Sequence, residues 1–515
     1  MTARETEAAE PEFDDEPEEP GVWRYAHADR ASVIVDAADY FALMQQAMLK
    51  ARHRIFLVGW DFDTRIHLAL GRRWFHRILR RNYPRRLGSF LMWLARHRDG
   101  LEIRVLKWSL GLFQFFARGY MLVDLARMAA HKGITFKFDT HHPVGCSHHQ
   151  KIAVIDDKLA VCGGIDMTQD RWDTRDHLER DRRRRRPHGR RYGPWHDATM
   201  MFEGEAARML GILSRERWER AGGENLDQVP IPGESLWPDA LSVQFEDVEL
   251  GIARTRARYD GLERVCEIEE LLLAQIARAR RFIYSENQYF TSRRIAEAIG
   301  ERLSEDDPPE IVMVQPKTAE GWLEQQAMDH ARVRMIECLA EFDHKDRFRI
   351  YVPHTGDTPI YVHAKVTIID DEILRIGSAN FNNRSMGLDS ECDVFIDCQR
   401  PANGHAGPAI AALRHSLLGE HCGLEAEEVA RLLERDPSMH RLIAEHGQGE
   451  DRSLRAYDVP DLNGVEDTLA ESGMLDPERP DEMFEPFAKG GLFRKGSMLR
   501  RAARRAKRTR KRIGL

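Results

Sequence analysis

The sequence has few cysteines and no long apolar run. Its seven cysteines are scattered over 515 residues without a CxxC pair, which argues against a disulfide scaffold and against a cysteine-based zinc site. No apolar run reaches the roughly 18 residues that suggest a membrane-spanning helix. The N-terminus is acidic, whereas a secretory signal would be basic and then apolar. We therefore expect a reduced, cytoplasmic protein.

Charge is distributed unevenly along the chain. The net charge is −7, yet residues 494–512 carry 11 Lys and Arg residues and no Asp or Glu. The body is therefore acidic and the tail strongly basic. With 42% hydrophobic and 31% charged residues, the chain as a whole has the composition of a soluble globular protein. A basic tail of this kind is typical of disordered segments and of elements that bind an anionic surface.

Strand and helix patterns alternate in two similar series. The first series includes buried-strand patterns at 54–62 and 102–108, and the second includes them at 281–290 and 310–317. Strands that alternate with helices predict an α/β fold with a mainly parallel or mixed sheet in each half. We divide the chain into five parts: an acidic, disordered N-terminus (1–22), a first lobe (23–250), a second lobe (251–400), a helical C-terminal extension (401–492) and a basic tail (493–515).

One sequence pattern occurs at the same place in both series. HQKIAVIDDKLAVCGGID at 149–166 matches HAKVTIIDDEILRIGSAN at 363–380 without a gap. The shared pattern is His-x-Lys-x4-Asp-x6-Gly-(Gly/Ser). A single copy would be a weak signal, but a duplicate in two equivalent α/β halves is a strong one.

The histidines and lysines of the two copies suit chemistry on phosphate. The two-residue period of a strand places His149 and Lys151 on one face, and likewise His363 and Lys365. Two lysines would form a cationic pocket, and two imidazoles could divide the work of nucleophile and general acid. No dense Asp, Glu and His set with metal-ligand spacing accompanies them, so we expect no metal and no other cofactor.

The duplicated pattern resembles the HxKxxxxD hallmark of the phospholipase D superfamily. Further segments resemble the eukaryotic-type phospholipase D enzymes and their bacterial relatives: GGIDMTQDRWD (163–173), PWHD (194–197), YSENQYF (284–290), YVHAK (361–365) and GSANFNNRSMGLDSE (377–391). The resemblance covers roughly residues 30–400. It implies two repeated lobes, each a mixed β-sheet flanked by helices, with the active site at their interface and a covalent phosphohistidine intermediate.

The resemblance also implies roles for the motif residues. His149 would be the nucleophile and His363 the acid and base, although the symmetric motif leaves the reverse assignment open. The first half has Asp166 at the position of Asn380, and an ionised carboxylate cannot donate a hydrogen bond to phosphate. Four residues would bind phosphate: Lys151, Lys365, Ser378 and Asn380.

Each imidazole needs a carboxylate on its second ring nitrogen, because that contact fixes the tautomer. Glu391 follows the second motif and is the predicted partner of His363. Asp197 follows an arginine-rich insertion and is the predicted partner of His149.

The motif aspartates, Asp156 and Asp370, belong to the catalytic signature but have a different predicted task. Each lies an odd number of residues after its lysine, so along a regular strand its side chain would face away from the site. We therefore expect both aspartates to fix turns.

The implied activity is that of a phospholipase D-type phosphodiesterase, which hydrolyses a glycerophospholipid to phosphatidic acid and a head-group alcohol. The same intermediate permits transphosphatidylation. The alternatives are a cardiolipin-synthase-like phosphatidyltransferase and a nuclease of the superfamily. A different class of alternative is a non-catalytic nucleic-acid-binding protein that uses the arginine run at 182–186 and the basic tail.

The expected partners are a phospholipid substrate and, through the basic tail, the anionic inner face of a membrane. The aromatic-rich segment 108–122 is interpreted as a core helix, with an interfacial lipid-contacting segment as the alternative. We expect no nucleic-acid partner. Because both motif copies lie in one chain, a monomer would be sufficient for the active site.

Overall fold

The computed structural model describes residues 19–69, 83–108, 120–319 and 322–460. The predictions on the N-terminal segment 1–18, the central part of the aromatic segment (109–119) and everything after residue 460, including the basic tail, lie outside the described residues.

The first half contains eight strands and four helices among the described residues. The strands are β1 (Arg24–Val35), β2 (Arg54–Gly59), β3 (Glu102–Trp108), β4 (Ile134–Asp139), β5 (Ile152–Ile155), β6 (Leu159–Gly163), β7 (Trp195–His196) and β8 (Ala198–Glu203). The helices are α1 (Ala37–Lys50), α2 (Leu87–His97), α3 (Tyr120–Ala129) and α4 (Glu205–Arg220).

The second half repeats this arrangement. Its strands are β9 (Phe245–Arg256), β10 (Val265–Cys266), β11 (Phe282–Glu286), β12 (Glu310–Val314), β13 (Phe348–Thr355), β14 (Thr358–Pro359), β15 (Tyr361–Val362), β16 (Val366–Ile369), β17 (Ile373–Gly377) and β18 (Glu391–Asp397). Its helices are α5 (Glu267–Arg278), α6 (Arg293–Leu303), α7 (Trp322–Ala340) and the short α8 (Asn383–Gly387).

The C-terminal extension follows a 3₁₀ turn at Pro401–Asn403. It comprises α9 (Gly407–Cys422), α10 (Ala426–Arg435), α11 (Met439–His446) and β19 (Arg452–Ala456). The described part of the extension, up to residue 460, is therefore mainly helical, but its last element is a strand. Because β19 pairs antiparallel with β13, the extension also adds to the sheet of the second half.

The strand order is the same in the two halves. It runs β4-β3-β2-β5-β6-β8-β1 in the first half and β13-β12-β11-β16-β17-β18-β9 in the second. Strands β1 and β9 pair antiparallel, so a mixed sheet continues from one half into the other. The predicted α/β fold with two repeated lobes is confirmed.

The boundary between the lobes differs from the predicted one. The predicted division at 250/251 falls inside β9, which is one unbroken strand from Phe245 to Arg256. Since β9 occupies the place in the second half that β1 occupies in the first, the second repeat begins at Phe245.

Both faces of the sheet are covered by apolar side chains. In β2, Phe56 and Val58 join a core that also contains residues of the second half, whereas Ile55 and Leu57 pack with α1 and α2. This alternation follows from the two-residue period of a strand. The face of the second half that carries Ile283 is covered by α5 and α6 in the same way. The motif residues thus begin strands that are fixed on both sides.

Candidate active site

The four motif residues lie at the start of equivalent central strands. His149 and Lys151 directly precede β5, and His363 and Lys365 directly precede β16. The His149 side chain is 16% exposed, whereas that of His363 is 6% exposed. Both lysines are buried. The charge of each lysine and of His149 acts on His363, so the structure brings the two motif copies into one site.

The carboxylate partners of the histidines are crossed between the lobes. His149 Nδ1 lies 3.0 Å from each of the two carboxylate oxygens of Glu391. His363 Nδ1 lies 2.7 Å from Asp197 Oδ2. The predicted pairing of Glu391 with His363 and of Asp197 with His149 is therefore wrong. Each imidazole is held by the carboxylate of the other half.

Backbone hydrogen bonds explain why each histidine meets the carboxylate of the opposite lobe. The His363 N–H donates to the carbonyl of His196 at 2.7 Å, and the His149 N–H donates to the carbonyl of Ser390 at 2.9 Å. In both cases the acceptor is the residue directly before the carboxylate. The parallel pairing of β15 with β7 reinforces the first of these contacts. The segment that leads into each motif thus lies beside the carboxylate strand of the opposite lobe.

The two lysines have different neighbours. Lys151 Nζ donates to the His149 carbonyl at 2.7 Å and lies 3.5 Å from Asp166 Oδ2. Lys365 Nζ donates to the His363 carbonyl at 2.5 Å and to Gln288 Oε1 at 3.3 Å. The first lysine therefore has a fixed counter-charge, whereas the second has a neutral amide.

The structure brings Asn380 to the site but gives Ser378 a different task. Asn380 Nδ2 lies 3.4 Å from the Gln288 oxygen that also binds Lys365. The buried Ser378 hydroxyl donates to Glu391 Oε2 at 2.5 Å and accepts from the Cys392 N–H at 3.1 Å. Because the Ser378 hydroxyl donates its hydrogen bond to Glu391, phosphate binding by Ser378 stays a prediction. Ser378 positions that carboxylate.

A glycine replaces this serine in the first half because Asp197 fills the space. A Cβ atom at Gly164 would lie 2.1 Å from Asp197 Oδ1. The shorter aspartate therefore sits against bare backbone, whereas the longer Glu391 is supported by the Ser378 hydroxyl. The two carboxylates are equivalent in the sheet but are positioned by different means.

The motif aspartates face away from the site, as predicted. Asp156 accepts hydrogen bonds from the backbone N–H groups of residues 52–54, and Asp370 accepts them from residues 280–282, at 2.7–2.8 Å. Both aspartates adopt a left-handed backbone conformation, with φ of 51° and 56°. They fix the strand-turn-strand units that carry the histidines and lysines.

Three residues near the site were not singled out from the sequence. Gln288 lies between Lys365 and Asn380. The buried Arg171 guanidinium lies 4.2 Å from the centre of the Trp195 ring, which in turn lies 5.3 Å from the His363 ring. Gln288 and Arg171 lie within YSENQYF and GGIDMTQDRWD, and Trp195 within PWHD, so the segments were found but their individual roles depend on the fold.

Burial and the neighbouring cations shift the titration of the site. Desolvation lowers the pKa of His149 and of His363, and the two lysines lower both further. Burial raises the pKa of Glu391 to about 8 and lowers that of Lys365 to about 7. Burial also raises the pKa of Asp197 to about 6. The free site therefore favours neutral imidazoles, which suits a nucleophile, whereas a histidine that acts as an acid would gain its proton when a negatively charged phosphodiester binds beside it.

The arginine run at 182–186 is largely neutralised by acidic neighbours. Arg183 binds Asp181, and Arg186 binds Asp170. Arg184 is buried and donates to Asp173 at 2.9 Å. This pairing weakens the alternative in which the run forms a nucleic-acid-binding patch, because a guanidinium that is bound to a carboxylate contributes little to phosphate attraction.

Behind Asp197 lies a buried set of side chains that could hold a metal ion. It contains Asp36, His177, His196 and Glu420, and a second set shares His196 with Glu286 and His421. The sequence predicted no such set, because these residues are far apart along the chain.

Within the described ranges, no helix is both long and apolar enough to cross a bilayer.

Comparisons with known proteins agree with the motif. A family model described as "Cardiolipin synthase, PLD-like domain" matches residues 272–405. The chain is 24% identical to "Phospholipase D A" of Dictyostelium discoideum over 482 residues, which cover 79% of this chain and 36% of that protein. It is 25% identical to "Phospholipase D alpha 1" of Ricinus communis over an alignment of 537 positions, which covers 75% of this chain and 65% of that protein.

Other relatives are longer or more distant. The chain is 23% identical to "Phospholipase D1" of Saccharomyces cerevisiae, of which the match covers 29%. It spans about a third of the length of the Dictyostelium and yeast relatives. Among solved structures, the phosphatidylserine synthase of Haemophilus influenzae is 13% identical with a TM-score of 0.46, and the match covers 81% of this chain and 94% of that one. From the duplicated motif, the family match and the curated relatives, we conclude that the chain belongs to the phospholipase D superfamily, whose members are phosphodiesterases or phosphatidyltransferases.

Proposed function

We propose that this protein is a phospholipase D-type phosphodiesterase that hydrolyses glycerophospholipids to phosphatidic acid and a head-group alcohol. The observation that carries the proposal is the pair of imidazoles, one buried and one partly exposed, each with a carboxylate of the opposite lobe on Nδ1 and with a lysine two residues away. This arrangement leaves Nε2 of both rings for chemistry on a phosphodiester.

In the first step, His149 Nε2 attacks phosphorus and the bond to the head-group oxygen breaks. His363, which must carry a proton on Nε2 at this stage, donates that proton to the leaving alcohol. In the second step, His363 takes a proton from water, and the water oxygen displaces His149 from phosphorus. Phosphatidic acid leaves, and His363 is again protonated, so no other reactant is consumed.

Two features support His149 as the nucleophile. Its side chain is more exposed than that of His363, at 16% against 6%, so its ring is more accessible to an entering phosphodiester. Its Nδ1 also lies equally close, at 3.0 Å, to both oxygens of Glu391. That contact orients Nε2 and stabilises the positive charge that the ring gains when it bonds to phosphorus.

The lysines would bind the phosphate oxygens. Within the part of the chain that the structure describes, Lys365 has no carboxylate within salt-bridge distance, and burial lowers its pKa to about 7. A bound phosphodiester would supply the missing negative charge and favour the protonated lysine. The Asn380 amide, which is linked to Lys365 through Gln288, is the neighbouring hydrogen-bond donor.

The second candidate is a phosphatidyltransferase, which passes the phosphatidyl group to an alcohol instead of water. The match of residues 272–405 to the cardiolipin-synthase-type model favours it. The chemistry differs only in the second step, where the hydroxyl of an alcohol takes the place of water.

The test is to incubate the full chain with mixed phospholipids, with and without a short-chain alcohol, and to identify the products by mass spectrometry. Phosphatidic acid without alcohol would support the hydrolase, and a phosphatidyl-alcohol as the only product would support the transferase. Parallel reactions with single-stranded and double-stranded DNA test the nuclease alternative. Absence of phospholipid products together with cleavage of DNA would refute the proposed function.

Attachment to the membrane is a separate part of the proposal. It depends on the basic residues of 494–512, each of which contributes about 1 kcal/mol close to an anionic bilayer. Co-sedimentation with anionic and neutral vesicles should be compared for the full chain and a truncation that ends at Lys489. Binding should require anionic lipid, weaken with salt and fall sharply on truncation. Equal binding by both chains would contradict the role of the tail.

A further inference from the structure

The buried set behind Asp197 joins three distant parts of the chain. Asp36 lies between β1 and α1. His177 lies in the connection between β6 and β7, and His196 lies in β7. Glu420 lies in α9 of the C-terminal extension. All four side chains are at most 3% exposed. One ligand atom of each lies within 4.8 Å of every other. None of them takes part in the phosphodiester chemistry.

The distances match a small tetrahedral site. His177 Nε2 lies 3.0 Å from Glu420 Oε1 and 3.3 Å from Asp36 Oδ2. His196 Nδ1 lies 3.0 Å from Glu420 Oε1 and 3.6 Å from the other oxygen of Asp36. Ligands that are 2.0–2.2 Å from a tetrahedral zinc ion lie about 3.3–3.6 Å from one another. Two of the four distances, 3.3 Å and 3.6 Å, lie in this range, and the two 3.0 Å distances to Glu420 are shorter by about 0.3 Å or more.

The outer nitrogen of each histidine is already held by a carboxylate. His177 Nδ1 lies 3.0 Å from Asp173 Oδ2, and His196 Nε2 lies 2.8 Å from Glu286 Oε2. Metal-binding histidines nearly always donate their second N–H to such a group, which fixes the ring and leaves the other nitrogen as the ligand. Both rings thus present to Glu420 and Asp36 the nitrogen that a metal would take.

Two atoms of the cluster are buried without a hydrogen bond. Within the described residues, Asp36 Oδ2 and His196 Nδ1 have no partner of acceptable hydrogen-bond geometry. An unsatisfied buried polar atom costs about 1–3 kcal/mol, and more where the group is charged. A cation between the four side chains would satisfy both atoms at once.

We propose that Asp36, His177, His196 and Glu420 bind a structural zinc ion. Four carboxylates border the two histidines (Asp36, Asp173, Glu286 and Glu420). Arg175 and Arg184 pair with Glu420 and Asp173, which leaves two negative charges for a divalent ion. Two imidazole nitrogens favour zinc over calcium or magnesium, which prefer oxygen ligands. Four protein ligands in a closed, buried position are typical of structural zinc sites. This assignment does not depend on the activity proposed above.

The ion gives the C-terminal extension a role in the active site. Asp36 Oδ1 accepts the Asp197 backbone N–H at 3.1 Å, and His196 directly precedes Asp197. Glu420 adds the extension to the same cluster. Zinc would therefore fasten α9 to the segment that holds Asp197 against His363.

The test uses the full chain, purified without a polyhistidine tag from cells grown with added zinc. Elemental analysis should find about one zinc ion per chain, and a chelator that removes it should lower the melting temperature. Glu420→Gln and His177→Gln should each lose the zinc and melt at a lower temperature that the chelator does not change. The control is His440→Gln, which removes a buried histidine of α11 outside the cluster and should retain the metal.

A second measurement does not depend on the folding of a variant. Zinc-free wild-type protein that is titrated with Co²⁺ should give the strong visible absorption of a tetrahedral site, and Zn²⁺ should displace it. Wild-type protein that stays metal-free after incubation with zinc sulfate, with melting unchanged by chelator, would overturn the proposal in favour of two imidazolium ions paired with the carboxylates. Zinc that persists in both cluster variants would place the ion elsewhere and would also overturn it.

Discussion

The two halves of the active site are built on the same strand order but surround their lysines differently. Lys151 lies 3.5 Å from Asp166, whereas the equivalent carboxylate position of the second half is Asn380. Lys365 instead contacts the amide oxygen of Gln288 at 3.3 Å. The first lysine thus has a carboxylate within salt-bridge distance before substrate arrives, whereas the second has none among the described residues. We infer that the second half supplies most of the attraction for phosphate.

The same comparison extends to the rings beside the histidines. Trp60 occupies the position after β2 that Gln288 occupies after β11. The Trp60 ring contacts the His149 ring edge-on, with centroids 6.4 Å apart. The first half therefore presents an apolar wall and the more exposed histidine, whereas the second half presents polar amides and the more buried one. This asymmetry is what the division into nucleophile and acid requires, although the motif itself is symmetric.

The largest expected effect is loss of either histidine. His149→Ala and His363→Ala should each reduce kcat on phospholipid by about 10⁴-fold or more, because their roles are sequential and neither can replace the other. An aryl phosphodiester with a good leaving group separates the roles. His363→Ala should still form and accumulate the phosphohistidine with this substrate, since the leaving group needs no proton, and His149→Ala should not. Accumulation in His149→Ala alone would reverse the assignment.

The crossed carboxylates come next. Glu391→Gln and Asp197→Asn should each lower kcat by about 10³-fold with little change in KM, because they orient the imidazoles and do not contact substrate. The aryl substrate should restore the first step in Asp197→Asn, which impairs the acid, but not in Glu391→Gln, which impairs the nucleophile. Rescue of Glu391→Gln would mean that this carboxylate serves His363, against the geometry.

The difference between the lysines predicts a smaller effect on binding. Asn380→Asp places a carboxylate near Lys365, where it would compete with the substrate phosphate for the lysine. KM should rise by about tenfold, which corresponds to about 1.4 kcal/mol of binding free energy. Asp166→Asn is the matched control and should leave KM unchanged or lower it. KM values that respond equally to the two substitutions would show that the halves share phosphate binding.

The pH dependence is the mildest test. Burial raises the pKa of Glu391 to about 8, so as the pH falls a proton is retained on the Glu391–His149 pair and the nucleophile is lost. Burial lowers the pKa of Lys365 to about 7, so as the pH rises the cationic pocket is lost. We expect a bell-shaped profile of kcat/KM with a fall of roughly threefold one pH unit either side of the optimum. Glu391→Gln should remove the acidic limb and keep the basic one; an unchanged acidic limb would contradict the assignment.

Local patterns predicted much of the fold and the centre of the site. The repeated motif identified the two lobes and the His and Lys residues, and the odd spacing of Asp156 and Asp370 predicted side chains that face away from the site. The strands expected at 54–62 and 102–108 are found at Arg54–Gly59 and Glu102–Trp108, and those expected at 281–290 and 310–317 at Phe282–Glu286 and Glu310–Val314. These features depend on residues that are close in sequence, where the period of a strand or helix is a sufficient guide.

Contacts between the lobes could not be predicted in this way. Glu391 lies 242 residues from His149, and its pairing depends on how the two halves of the sheet meet. The sequence also does not reveal that the Ser378 hydroxyl donates a hydrogen bond to Glu391. The zinc cluster has no spacing signature, since its residues come from positions 36 to 420.

The crossed hydrogen bonds make each lobe chemically incomplete when it is alone. His149 acquires its carboxylate only when residue 391 has been synthesised and the second half has folded against the first. A chain that is truncated before that point would hold a histidine and a lysine but no oriented nucleophile. The proposed activity would thus appear only after both halves have assembled, so that nascent or partly proteolysed chains would be inactive.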